Sequence, residues 1–166
     1  MARFILLDAG VVGHYCGSPE RSGVLECQEW VGRMIAADNS VGIPEVTYFE
    51  VKRGLLRNGS TAKIRRFEAM LGDLEIFPVT FRAWDKAAEF WALLYRVGQP
   101  TADPKSLDAD ALLAAVAVTV VRPGDSAIIA TTNERHLNRF PGVDARAWTR
   151  TPEKFEEIPP DPKKGD

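Results

Sequence analysis

Apolar and polar positions along the chain keep two alternating rhythms. Short, solid apolar runs sit at residues 4–7 (FILL), 41–43 (VGI), 74–79 (LEIFPV) and 126–133 (SAIIATTN), and each reads as a buried strand. A last short run, ARAW at 145–148, fits one more strand. Between these runs apolar residues return every three or four positions. Val24, Cys27, Val31, Met34 and Ile35 mark one helix. Residues 45–57 mark a second, with Pro44 in its first turn and Asn-Gly-Ser breaking it. Residues 61–71 predict a third helix closed by Gly72, and residues 80–98 a long one with Thr80 as N-cap and Gly98 as its stop. LDADALLAAVAVTVV, from 107 to 121, is apolar nearly all round and predicts a buried helix. ERHLNRFPGV, from 134 to 143, predicts a short helix and a turn, and FILL is expected to end in a turn at Asp8-Ala9-Gly10.

Strands alternating with helices predict an α/β fold, a parallel sheet of four to five strands with helices on both faces. One domain over residues 1–150 accommodates these elements. Residues 151–166, TPEKFEEIPPDPKKGD, are Pro-rich and charged, and a tail with little fixed structure is expected there. In open sheets of this kind ligands bind beyond the carboxyl ends of the strands. Asp8 and Asn133 each directly follow an apolar strand, so both belong to that edge.

Charge and composition narrow the function. A net charge of −2 over 166 residues argues against a chain that binds nucleic acid by overall basicity, but leaves a local patch open. One such patch exists. VKRGLLRNGSTAKIRRF, from 51 to 67, holds Lys52, Arg53, Arg57, Lys63, Arg65 and Arg66 and no acid. It suits either RNA phosphates or a solvated pair of helix faces. Aromatics do not interleave with these cations, so no base-stacking platform is indicated. Cys16 and Cys27 lie at no metal or disulfide spacing and are read as reduced thiols. The opening apolar run is too short for a leader core, and no stretch approaches the ~20 residues of a membrane span. A cytoplasmic protein with no membrane partner is expected.

Carboxylates supply the candidate chemistry. Asp8 ends the first strand, Glu50 lies mid-helix after the second, and Asp108 and Asp110 head the most apolar helix. Each has an ordinary use: a turn residue, a solvated helix residue, a helix cap. Collected at one sheet edge, however, such acids repel one another unless a cation sits among them. Magnesium or manganese suits an all-oxygen set, and there activates water and stabilises charge on a phosphodiester. His14 and His136 have no Cys or His at ligand spacing and are read as structural or surface residues.

Four stretches in order resemble the PIN domain family, in particular small toxin nucleases of the VapC type: FILLDAGVVG, IPEVTYFEVKRGLLR, DADALLAAVAV and IIATTNERHLNRFPGV. The resemblance spans about residues 2–143 and implies a Rossmann-like sheet and hydrolysis of RNA with Mg2+ or Mn2+. It implies that Asp8, Glu50 and Asp110 hold the metal and that Asn133 is the fourth catalytic member. Thr131 would support Asp8; Asp110 aligns with the third acid better than Asp108, which is kept as a supporting candidate. As partners it implies an RNA substrate, a cognate antitoxin and a second copy of the chain. For a surface, the helix at residues 24–35 and the Trp-rich helix at 83–95 are candidates, although core packing explains both more simply. Ala9 stands where many members carry Thr or Ser, Asn133 is neutral, His136 replaces a frequent Asp and Leu137 a usual Phe. These departures bear on occupancy by a second metal more than on activity. The rival reading is a non-catalytic PIN fold kept for RNA or protein binding, which would be expected to lose one of the three acids. A phosphoacceptor switch domain lacks its paired acids and its Lys after the last strand, and DAG excludes an Asp-x-Asp phosphatase.

Overall fold

The computed structural model describes residues 1–103 and 106–152. Its centre is a five-stranded sheet in the order β3-β2-β1-β4-β5. The strands are β1 (Arg3–Leu7), β2 (Ser40–Pro44), β3 (Glu75–Phe77), β4 (Ser126–Thr131) and β5 (Ala145–Ala147), and every neighbouring pair is parallel. Among the described residues seven helices connect them: α1 (Ala9–Tyr15), α2 (Val24–Ala36), α3 (Glu45–Asn58), α4 (Thr61–Leu71), α5 (Phe81–Arg96), α6 (Ala109–Val120) and α7 (Glu134–Leu137). A 3-10 turn, Trp148–Arg150, follows β5. No helix among the described residues is long and apolar enough to cross a membrane.

Alternation along β1 divides the core. Ile5 and Leu7 pack with α1, α2, Phe67 and Met70 of α4, Val41 and Ile43. Leu6 faces the other way, onto Ala83, Ala87 and Phe90 of α5, the apolar residues of α6, and Ile129. Side chains of a strand point to opposite faces in turn, so one five-residue strand nucleates both layers. Helix α6 is buried from Ala111 to Ala117, as an all-round apolar helix must be. Thr80 caps α5 by accepting from Ala83 N.

Three expectations need correction. FILL does not end in a turn: AGVVGHY forms α1, with Val11 and Val12 buried. Gly10 read as a turn residue, but it answers a close approach, since a Cβ there would meet Thr132 Oγ1 at 2.4 Å. Pro44 closes β2 in extended backbone (φ −62°, ψ 148°) and is the N-cap of α3 rather than a residue of its first turn. Gly72 closes α4 as expected, in right-handed backbone, whereas Gly59, at φ +63°, is a left-handed C-cap for α3. Trp148 leaves β5 for the 3-10 turn, where its ring lies 5.9 Å from that of Trp30, and Trp30 Nε1 donates to Thr151 O over 3.2 Å. Of the expected 151–166 tail, residues 153–166 lie outside the described residues.

Candidate active site

The sheet order places β1 beside both β2 and β4, and the chain's crossovers reverse direction between β1 and β4. A crevice forms where loops diverge on either side of such a point, at the carboxyl ends of the strands. Asp8 leaves β1 there. Its backbone N–H donates to Ala130 O over 3.0 Å, which ties it to the neighbouring strand. Asp8 Oδ1 accepts from Ala9 N at 2.6 Å as the N-cap of α1, and Oδ2 accepts from the Thr131 hydroxyl at 2.6 Å. Asn133 N in turn donates to Thr131 Oγ1 over 3.0 Å. The carboxylate is thus held on both oxygens, one by a helix start and one by the last residue of β4.

Asp110 comes from the first turn of α6, where the helix dipole favours an anion. Asp108 is spoken for: Oδ1 accepts from Ala111 N over 3.0 Å as the cap of α6, and Oδ2 accepts from the Thr101 hydroxyl. His136, from α7, stands with Nδ1 3.8 Å from Asp110 Oδ2. Glu50 projects from the middle of α3, which begins directly after β2.

The acids sense one another. Burial raises the Glu50 carboxyl above its ordinary range; Asp8 and Asp110 push it further the same way, against Arg53. Burial likewise raises Asp110, helped by the charges of Asp108 and Asp8 and opposed by His136. Mutual repulsion of this kind is what a shared cation relieves. Asp8, Glu50 and Asp110 could offer only oxygen atoms, which would suit a hard divalent ion such as Mg2+ or Mn2+. Among the described residues no three His, Cys, Asp or Glu side chains stand close enough together to hold an ion as they lie.

The basic stretch divides between α3 and α4. Lys52 is 2.7 Å from Glu68, and Arg66 Nε donates to Cys16 O over 2.9 Å, so two of the six cations serve the fold. Arg53 lies 5.2 Å from the centre of the Phe49 ring. Arg57, Lys63 and Arg65 make no ion pair among the described residues. Next to Glu50 runs an apolar groove of about 310 Å³, lined by Glu45, Val46, Phe49, Val79, Trp84, Leu107 and Leu112. Phe49, Trp84 and Leu107 are 52%, 46% and 62% exposed. Sequence reasoning missed the Asp110–His136 contact and this groove, because each is made by helices packing together, which no local pattern records.

Residues 5–144 match the PIN domain, and the chain belongs to this family. Comparison with curated proteins finds no match. Among solved structures, VapBC2 from Rickettsia felis, bound to a DNA fragment from their promoter, is similar with a TM-score of 0.69 at 16% identity. That likeness covers 87% of this chain and 98% of the matched one. DNA-bound VapBC from Salmonella typhimurium gives 0.64 at 21% identity, covering 89% and 99%. VapBC-1 from nontypeable Haemophilus influenzae gives 0.66 at 15%, again covering 89% and 99%. At these identities the likeness establishes the fold.

Proposed function

We propose that the chain is a metal-dependent endoribonuclease and the toxin of a type II toxin–antitoxin pair, built as one PIN domain over residues 1–150. The observation that carries this reading is the support given to Asp8 at the crevice, where Thr131 and the start of α1 hold both carboxylate oxygens beside two acids with raised pKa values. A turn residue has no need of such support.

Asp8, Glu50 and Asp110 would hold Mg2+ or Mn2+, with Asn133 as the neutral fourth member. A bound ion of this kind lowers the pKa of water and offsets charge on a phosphodiester. The chain's own work is positional. Thr131 fixes the orientation of Asp8, and His136 tempers the charge of Asp110. Arg57, Lys63 and Arg65, with Arg53, offer RNA phosphates a cationic track that starts three residues beyond Glu50; Lys52 and Arg66 complete it from their structural pairs. Hydrolysis would leave a 3′-hydroxyl and a 5′-phosphate, with no covalent enzyme intermediate. The groove between α3, α5 and α6 is the surface that suits a cognate antitoxin, since exposed apolar patches of this kind mark partner sites. A homodimer and a cytoplasmic location complete the reading.

A non-catalytic PIN fold is favoured by one observation, the absence of a ready-made ion site among the described residues. Calorimetry with Mg2+ and Mn2+ on the wild type and Asp8→Asn, run beside cleavage of a mixed tRNA pool, separates the two. Loss of both binding and cleavage in the variant is expected. Equal metal binding in the two proteins, or none in either, overturns the nuclease reading and favours the binding module.

A further inference from the structure

Strand β5 is the last in the sheet, yet its outer edge is engaged by side chains. In its register with β4, Asp144 turns its carbonyl inward and accepts from Ile129 N over 2.9 Å. Backbone groups alternate sides along a strand, so those of Ala145 and Ala147 face outward. Ala145 N donates to Asn138 Oδ1 over 2.9 Å, and its carbonyl accepts from Asn138 Nδ2 over 2.8 Å. Ala147 N donates to Glu134 Oε2 over 2.8 Å, and its carbonyl accepts from the Thr151 hydroxyl over 3.1 Å. One primary amide therefore offers Ala145 the donor and acceptor that a neighbouring strand would offer. The other Glu134 oxygen takes Arg150, which fixes the carboxylate from both sides.

Asn138 and Glu134 bracket α7, a helix of four residues. So short a helix has almost no stability of its own. What surrounds it must hold it, and the hydrogen bonds to β5 are the polar part of that hold. The same segment carries the two groups that reach the carboxylate edge: Asn133, whose N–H meets Thr131, and His136, which stands beside Asp110.

We propose that Asn138 and Glu134 are positioning residues, clamping α7 to the open edge of β5 so that Asn133 and His136 stand at Asp8 and Asp110. The inference rests on the nuclease reading only for its consequence in metal affinity; the placement itself is tested without metal.

The chain has two histidines, so its imidazole proton NMR spectrum is simple, and His14→Gln assigns the signals. At fixed pH without metal, Asp110→Asn should move the His136 signal. In Glu134→Ala/Asn138→Ala the His136 signal should sit at its free-peptide position and no longer respond to Asp110→Asn. Should that double variant fail to fold by circular dichroism, Asn138→Asp takes its place. It keeps the acceptor for Ala145 N, loses the donor to Ala145 O, and should move the signal part of the way. Glu134→Gln, whose amide oxygen still accepts from Ala147 N, should restore most of the wild-type position. Mn2+ affinity should fall roughly tenfold in the clamp variants, as it does when groups supporting metal ligands are removed. A lowered Tm with an unchanged His136 signal and unchanged response would overturn the proposal, leaving both residues as plain edge covers. If the signals behave as expected while the wild type binds no Mn2+, the clamp stands and the nuclease reading falls.

Discussion

The Thr131 hydroxyl donates to Asp8 Oδ2 over 2.6 Å while accepting from Asn133 N over 3.0 Å. Thr131 is fully buried at the end of β4, so its hydroxyl has no water to turn to. Acceptance from Asn133 N commits its proton to Asp8. Thr131→Val keeps the shape and removes the donor. Metal affinity should drop about 10- to 100-fold, with cleavage following, while Thr131→Ser retains most of both. Mn2+ calorimetry on the three proteins checks this; a Val variant that binds like wild type would mean Asp8 needs no support.

Charge crowding at the carboxylate edge should be visible as stability. Glu50 and Asp110 have raised carboxyl pKa values in the fold. The native state then holds protons that the unfolded chain has already released. Their stabilising contribution is full below the ordinary carboxylate range and is lost as pH rises through the raised values. Asp110→Asn removes that loss. In metal-free protein its Tm should match wild type near pH 4 and exceed it by roughly 1–3 °C at pH 7. The gain is small because solvent screens a part-exposed carboxyl. Saturating Mg2+ should reverse the order by stabilising only the wild type. Differential scanning fluorimetry across pH, with and without Mg2+, reads both arms.

Cys16 and Cys27 should be unreactive. Burial pushes their thiols up to about 11 and about 12, with Arg66 opposing the shift at Cys16 and the Cys16 charge adding to it at Cys27. Neither thiolate is populated at pH 8, so Ellman's reagent should react only as fast as the protein opens. The sign for stability follows the same rule: the contribution is full below pH 9, the ordinary thiol value, and is lost as pH climbs toward 11 and 12. Rapid labelling of either thiol in folded protein at pH 8 would contradict the assignment.

Thr47 in α3 is buried, and its hydroxyl has no hydrogen-bond partner among the described residues. An unsatisfied buried polar group costs about 1–3 kcal/mol. Thr47→Val should therefore be neutral or stabilise by up to ~1 kcal/mol, measured by urea denaturation. A loss of stability would reveal an unseen partner for the hydroxyl.

How far the sequence discloses this molecule depends on the distance over which a signal acts. Solid apolar runs bounded by turn residues marked the strands, and Thr80 marked the start of α5, because these are local signals. Asp8 and Asn133 were legible as neighbours because residues that follow parallel strands share one edge whatever the loops do, whereas the pairing of Thr131 with Asp8 came only from the resemblance to the PIN family. Helix α1 was not legible. Gly10 and Gly13 resemble breakers in one dimension, and the reason for Gly10, contact with Thr132, exists only once β4 lies beside β1. The basic stretch looked like six equivalent cations, until Glu68 of the next helix took Lys52 and the Cys16 carbonyl took Arg66. Asn138 carried no local sign of its role, since β5 is what gives its amide a use.

The bond between Thr131 and Asp8 also spans 123 residues of chain. A polypeptide growing from its N-terminus makes Thr131 only 123 residues after Asp8. Contacts of such separation form late, after the intervening segments have collapsed. A nascent or truncated chain that stops short of β4 would carry Asp8, Glu50 and Asp110 without the hydroxyl that orients the first of them.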